Sequence, residues 1–379
     1  MIDYFFLIFC FLSVFNLKIK GIDDFFFDYM GLENANSIKG IFVWLIIFHH
    51  KSVYGIKKNY IYLNITRNLG QKIVSMFLFY SGFGIYESLK TKGENYPRSL
   101  LTKAFNLFIK SQIILIIYLI ANIFIFKYKI TLKIYFLSVI FKSSLGNSNW
   151  FAFTIIILYS YSYLSFRFVK NQIFIGIIII SIICFLHVKL VYNFYYPKKI
   201  YSVDTVLCFV FGFYYSLLKK YIDRILMKND IQYFLFVSIT IFLFYKILLI
   251  QNLICISITN SLFSVIIIFI SMKMKFNNEL LKFLNFHSYS IYLLQRLVLW
   301  IVYKKQIFIN SSFIQISFEF TSIFFIATLF DKYTAFIDKF FKRISNKNKS
   351  NIYIPINNII FHDATNNIKI FFFHIQFSS

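Results

Sequence analysis

The feature that most constrains this chain is a series of long apolar segments separated by short basic loops. Most of them approach the roughly 20 residues that a helix needs to cross the hydrocarbon core of a membrane. Eleven can be marked, near residues 4–19, 38–55, 69–89, 104–127, 149–168, 172–191, 203–219, 231–249, 252–272, 286–304 and 312–333. The sequence therefore predicts an all-α fold, a polytopic transmembrane helical bundle with ten core spans and one N-terminal apolar segment.

The composition excludes a soluble enzyme. Of the 379 residues, 59% are hydrophobic and 15% are charged, whereas soluble domains have about 45–50% and about 25%. The net charge is +25, and the Lys and Arg residues that produce it lie between the apolar segments. This placement indicates anchoring to anionic lipid headgroups rather than a nucleic-acid partner. The four cysteines lie inside apolar runs without metal-ligand spacing, so neither disulfides nor a metal site are expected: Cys10, Cys184, Cys208 and Cys255.

Three regions differ in character along the chain. Residues 1–35 contain the first apolar segment and an acidic linker, and residues 36–341 contain the membrane domain. Residues 342–379 form a basic, Asn-rich tail that is predicted to be disordered. If the 38–55 span begins in the cytoplasm, Lys and Arg are in excess on the cytoplasmic side, although most of this excess comes from the tail.

Ionisable residues inside a span are expensive and indicate function. Lys39 and His50 are eleven residues apart, so on an ideal helix they differ by about 20° in azimuth and by about 16 Å along the axis. A buried imidazole at His50 can accept a proton from a hydroxyl, as acyl transfer requires. His49 points roughly 100° away from His50. The alternative is that these polar groups only cap the span by snorkelling.

The Lys39-x10-His50 pattern resembles the Arg-x10-His signature in the first core helix of acyltransferase family 3. These proteins are integral-membrane O-acyltransferases that modify bacterial surface glycans. Further segments resemble the family's motifs in the same order, over about residues 36–335: Phe77–Gly84, the basic loop Lys90–Lys103, Asn147–Phe151 with Tyr159, Asp204–Gly212 and Phe286–Gln295.

The chain also departs from the family pattern at three places. Lys39 stands where the family has arginine, which keeps the charge but loses the bidentate fork. Gln295 stands where the late motif often ends in histidine, and the acidic residue that often follows Trp150 is absent.

The resemblance implies a multi-pass protein of the bacterial inner membrane. It would transfer an acyl group, expected to be acetyl, from acyl-coenzyme A to a hydroxyl of a surface or lipid-linked glycan. His50 would be the general base with His49 in support, and Lys39 would hold the donor or stabilise charge on the thioester oxygen. Acyl-coenzyme A would be a donor substrate rather than a bound cofactor, and the other partners would be the acceptor and membrane lipid.

Substrate-binding positions are expected on the other spans. Cations suit coenzyme A phosphates, but the same cations, including Lys110, also fit anchoring at the headgroups. Serine and tyrosine are also ordinary helix-packing residues, and tryptophan is common at membrane interfaces, so both interpretations stay open. The candidates are Ser81, Arg98, Lys103, Asn149, Trp150, Tyr289 and Gln295.

Two other functions fit parts of the sequence. A transporter or flippase of a lipid-linked saccharide would explain the many spans, but it would predict half-repeats or broken helices that the sequence does not show. An inactive family member that serves as a scaffold would explain Lys39 and Gln295. The transporter or flippase does not explain why the motifs follow one another in the family's order.

Overall fold

The computed structural model describes residues 2–54, 65–169, 172–195, 203–250, 252–305 and 312–350. This part of the chain is almost entirely helical, and its only sheet is one short antiparallel pair, β1 (Lys18–Ile19) with β2 (Met274–Lys275). The α-helices are α1 Ile2–Val14, α2 Leu32–Tyr54, α3 Gly70–Lys92, α4 Tyr96–Ile120, α5 Leu132–Val139, α6 Asn149–Arg167, α7 Ile173–Tyr195, α8 Val206–Leu226, α9 Asp230–Leu248, α10 Leu253–Lys273, α11 Glu279–Phe286, α12 Ser288–Lys304 and α13 Ser312–Ser350.

Every predicted apolar segment coincides with a helix, but ten spans are not confirmed. Five helical segments of the described chain are long and apolar enough to cross a membrane, and α1 is too short. Polar residues lower the hydropathy of the remaining long helices, and these residues face the bundle interior: Lys39 on α2, Ser162 on α6, Ser216 on α8 and Gln295 on α12 are all buried. The five segments are Gly70–Ile125, which contains α3 and α4, Ile173–Asn193, Asp230–Leu248, Leu253–Lys273 and Phe313–Phe341.

The outer helices present apolar side chains outward. Only 6% of the most apolar stretch of α9 is buried, and Ile231, Phe234 and Phe242 are exposed on it. A helix that is apolar all round needs an apolar environment on every side. With polar residues inside and apolar residues outside, the structure indicates a helical membrane protein.

The central crossing joins α3 and α8. Gly82 of α3 faces the backbone carbonyl of Phe209, and Gly212 of α8 faces the carbonyl of Phe79. A Cβ atom on either glycine would overlap the opposite backbone, so the two helices approach as closely as small residues allow.

The acidic stretch after α1 packs against the ends of α8, α9 and α10. Asp28 pairs with Lys275, and Asp23 accepts a hydrogen bond of 2.6 Å from the backbone N–H of Asp230. Tyr29 donates to Asp223 over 2.6 Å, and burial raises the pKa of the Tyr29 hydroxyl, which keeps it protonated as a donor. The predicted linker is thus an integral part of the bundle.

The last helix extends past the predicted domain boundary. α13 continues to Ser350, nine residues beyond 341, so this helix runs past the predicted start of the tail. Asp338 on α13 binds Lys110 and Asn106 of α4, at 2.8 and 2.5 Å. The predicted tail from residue 351 onward lies outside the described residues.

Candidate functional site

Lys39 is buried in the bundle without a counter-ion among the described residues. Its side chain is 3% exposed, and its Nζ atom lies 6.0 Å from the centre of the Tyr80 ring. The Tyr80 hydroxyl is buried too, and it has no hydrogen-bond partner in the described part of the chain. Buried charges are normally paired, so an unpaired lysine here indicates a site for an anionic or strongly polar ligand.

A polar cavity lies beside Lys39. Two of the predicted positions, Ser81 and Lys103, line this cavity with Lys39, and Lys103 donates to the hydroxyl of Tyr96 over 3.3 Å. Two ammonium groups in one cavity favour an anion such as a phosphate. The full lining is Lys39, Phe77, Tyr80, Ser81, Ile85, Tyr96, Lys103, Tyr159, Asn285 and Ser288.

An apolar cavity adjoins the polar one, and the two share Phe77 and Ser288. Tyr292 lies on its wall and also contacts His50, with 6.0 Å between the ring centres. The two cavities therefore connect the surroundings of Lys39 with those of His50. The lining of the apolar cavity is Val43, Ile46, Val74, Phe77, Leu107, Phe151, Ile155, Ser288, Tyr289 and Tyr292.

His50 lies against α12. The side chain of Gln295 contacts the imidazole, and the charge of Arg296 acts on it. The His50 Nδ1 and Gln295 Oε1 atoms are buried, and apart from the contact between these two side chains neither atom has a hydrogen-bond partner among the residues that the structure describes. Because buried polar atoms are rarely left unsatisfied, these two atoms suit a polar ligand or a reacting group.

Helix α6 supplies aromatic side chains that pack next to Tyr292. The rings of Phe151 and Trp150 lie 4.9 and 6.4 Å from the ring of Tyr292. Asn149, its neighbour in sequence, instead donates to the backbone carbonyl of Ser143 over 2.5 Å. Trp150 thus belongs to the site, whereas Asn149 stabilises the turn before α6.

His49 faces another part of the structure. Its Nδ1 atom lies 3.1 Å from the carbonyl oxygen of Thr66, and its ring packs so closely on Gly70 that a Cβ atom there would overlap it. The imidazoles of His49 and His50 are 5.4 Å apart. His49 therefore anchors the start of α3 and reaches the site only as a neighbour of His50.

Three more residues considered in the sequence, two cations and one tyrosine, differ in whether they reach the cavities. Arg98 is exposed at the start of α4 and lines neither cavity. Lys110 is neutralised by Asp338, so it is not available to a ligand. Tyr289 lines the apolar cavity with its ring and donates its hydroxyl to the carbonyl of Leu107 over 2.9 Å.

Sequence reasoning missed several residues of the site. Ser288 and Tyr292 face it together with Gln295, and the spacing of these three positions is one helical stripe (i, i+4, i+7). This helical spacing would have allowed the sequence to predict that these three residues share one face of α12. Tyr80 and Asn285 carry no comparable signal, because only the packing of α2 against α3 and α11 brings them to the cavity.

Comparison with known proteins gives no further assignment. The chain matches no protein-family model, no curated protein and no solved structure. In the part of the chain that the structure describes, no three His, Cys, Asp or Glu side chains are grouped as metal ligands.

Proposed function

We propose that this chain is an integral-membrane O-acyltransferase of the bacterial inner membrane. It would move an acyl group, most simply acetyl, from acyl-coenzyme A to a hydroxyl of a surface or lipid-linked glycan. The observation that carries the proposal is the pair of adjoining cavities, with the buried Lys39 and the half-buried Lys103 at one end and Tyr292, which contacts the His50 imidazole, at the other.

The cavities suit the two halves of such a donor. Lys39 and Lys103 offer ammonium groups for the phosphates of coenzyme A. The apolar walls beyond Phe77 suit the uncharged arm and the thioester. The acyl carbon would then reach Tyr292 and His50 while the charged head stays at the polar end.

His50 is the general base in this scheme. It removes the proton from the acceptor hydroxyl as the oxygen attacks the thioester carbonyl carbon. The new C–O bond forms, the C–S bond breaks, and the proton passes from His50 to the departing sulfur. Gln295 positions the imidazole, and Arg296, whose charge acts on His50, would stabilise the negative charge that develops on the carbonyl oxygen.

The arrangement of the motif residues supports the resemblance to acyltransferase family 3. Lys39, Ser81 and Tyr159 come from three separate motifs and line one cavity. Gln295, at the position of the family's late histidine, lies next to His50.

The test is transfer of labelled acetyl from acetyl-coenzyme A in membrane vesicles, normalised to protein level. His50→Ala is expected to lower transfer by about 10²–10⁴-fold, the usual contribution of a general base. Lys39→Arg is expected to keep or raise transfer, because the guanidinium group of arginine binds two oxygen atoms at once, which the ammonium group of lysine does not. His187→Ala is the matched control, since His187 contacts Tyr161 on α6 and lines neither cavity.

Wild-type transfer by His50→Ala would show that His50 is not the base. If the wild type transfers no acyl group but moves a lipid-linked saccharide across the vesicle membrane, the chain is a flippase. If only Lys39→Arg transfers the label, the wild type is an inactive scaffold.

A further inference from the structure

A second group of unsatisfied polar atoms lies outside both cavities. Asp204 precedes α8 and has no measurable exposure. No side chain of the described chain donates to its carboxylate oxygens, which have only the backbone N–H groups of Asp204 and Thr205 near them, and the hydroxyls of Thr205 and Ser257 lack hydrogen-bond partners there. These four oxygen atoms are all buried, and no step of the proposed acyl transfer uses them.

The packing of α8 and α10 brings these residues together. The amide of Asn260 donates to the backbone carbonyl of Asp204 over 3.3 Å. The Cys208 sulfur lies 3.2 Å from the hydroxyl of Ser261, which in turn donates to the carbonyl of Ser257. One face of α10 therefore packs against the start of α8.

The charge of Asp204 has no ionic partner in the part of the chain that the structure describes. Lys72 of α3 is the nearest cation that acts on it, but its ammonium group donates to the carbonyl of Asn68 over 3.2 Å. Cys208 is the other titratable neighbour, and its thiol is engaged with Ser261. A lone buried carboxylate is costly unless a bound ion or a proton neutralises it.

We propose that Asp204, Thr205 and Ser257 hold a monovalent cation between α8 and α10, close to α3. Carboxylate and hydroxyl oxygens are the ligands that hard cations prefer. One carboxylate balances one positive charge, and the remaining oxygen donors are neutral, which favours a monovalent ion such as Na⁺ over a divalent one. The ion would hold α10 against α8, near the place where α3 crosses α8.

The experiment measures the melting temperature of the purified full-length protein in detergent. NaCl or KCl is compared with choline chloride at equal concentration and fixed pH. We expect the melting temperature to rise with NaCl or KCl until the site saturates. Binding of radioactive Na⁺ is expected to reach one ion per chain where Na⁺ gives the rise.

Asp204→Asn is expected to abolish both effects, and Ser257→Ala is expected to weaken them. Asp24→Asn is the matched control, because Asp24 is an exposed carboxylate paired with Lys20. If Asp204→Asn does not fold, Thr205→Val and Ser257→Ala replace it. Equal melting temperatures in all salts, or an equal rise in the variants, would overturn the proposal. If the cation has no effect, and a repeat at several pH values gives a pH dependence of the melting temperature that Asp204→Asn removes, a proton rather than a cation neutralises Asp204 and the proposal is overturned.

Discussion

At the scale of single residues, the buried charges fall into two groups. Lys51 and Glu319 pair with each other inside the bundle, and Lys110 pairs with Asp338. Lys39 has no ion pair among the described residues. The paired charges tie α13 to α2 and α4, so they serve the fold. Lys39 lines a cavity, where a ligand can supply the missing charge, and the buried Asp204, which also has no ion pair among the described residues, lies outside the cavities.

The Lys51–Glu319 pair gives a prediction about stability. Lys51→Met leaves Glu319 charged and buried without its counter-ion, which is expected to cost about 3–5 kcal/mol. Lys51→Met with Glu319→Leu is expected to recover most of this loss, because both charges are removed. Denaturant unfolding of the purified protein in detergent measures both variants. Equal stability of Lys51→Met and the wild type would show that the pair contributes nothing.

The same residues show what the sequence can predict about the site. The eleven-residue spacing of Lys39 and His50 placed both inside α2, and the structure has both on that helix. The pairing of Lys51 with Glu319, 268 residues away, has no signal in the sequence around either residue. Helical period predicts a face from neighbouring residues, but only the folded chain pairs residues from distant helices.

At the scale of elements, the sequence located the long helices but neither all of their ends nor their packing: α13 ends at Ser350, whereas the predicted span ends at 333. Long apolar runs specify helices directly, because backbone groups inside a membrane must be satisfied within the segment. Which helices are central depends on side chains that meet across them. The reciprocal contacts of Gly82 and Gly212 at the crossing of α3 and α8 have no signature in either helix alone.

This crossing gives the second stability prediction. Gly82→Ala places a methyl group against the carbonyl oxygen of Phe209, and overpacking of this kind is expected to cost about 1–3 kcal/mol. The melting temperature in detergent should fall accordingly, and Gly212→Ala should behave in the same way. Gly21→Ala is the control, because a Cβ atom there meets nothing within 4 Å. A wild-type melting temperature for Gly82→Ala would contradict the close approach.

At the scale of the whole molecule, the bundle has two distinct ends. The docked acidic stretch, the start of α2 and the end of α3 lie at one end, where Tyr29 contacts Asp223 and Glu87 contacts Ser216. The polar cavity with Lys39 and Lys103 is nearer this end. The site of the unsatisfied His50 imidazole and the Asp204 group lie toward the other end. A donor and an acceptor could therefore reach the site from opposite sides.

The last prediction concerns this orientation. The donor of the proposed reaction is cytoplasmic and anionic, so the end with Lys39 and Lys103 is expected to face the cytoplasm, in agreement with the weak excess of cations there. The experiment uses a chain without its four native cysteines. A single cysteine replaces either Lys92, the last residue of α3, or Lys129, in the segment before α5. A membrane-impermeant maleimide applied to intact cells should label position 129, which is exposed at the opposite end, and position 92 only after the cells are opened. Labelling of position 92 alone in intact cells would reverse the orientation, and a cytoplasmic donor could then not enter through the polar cavity.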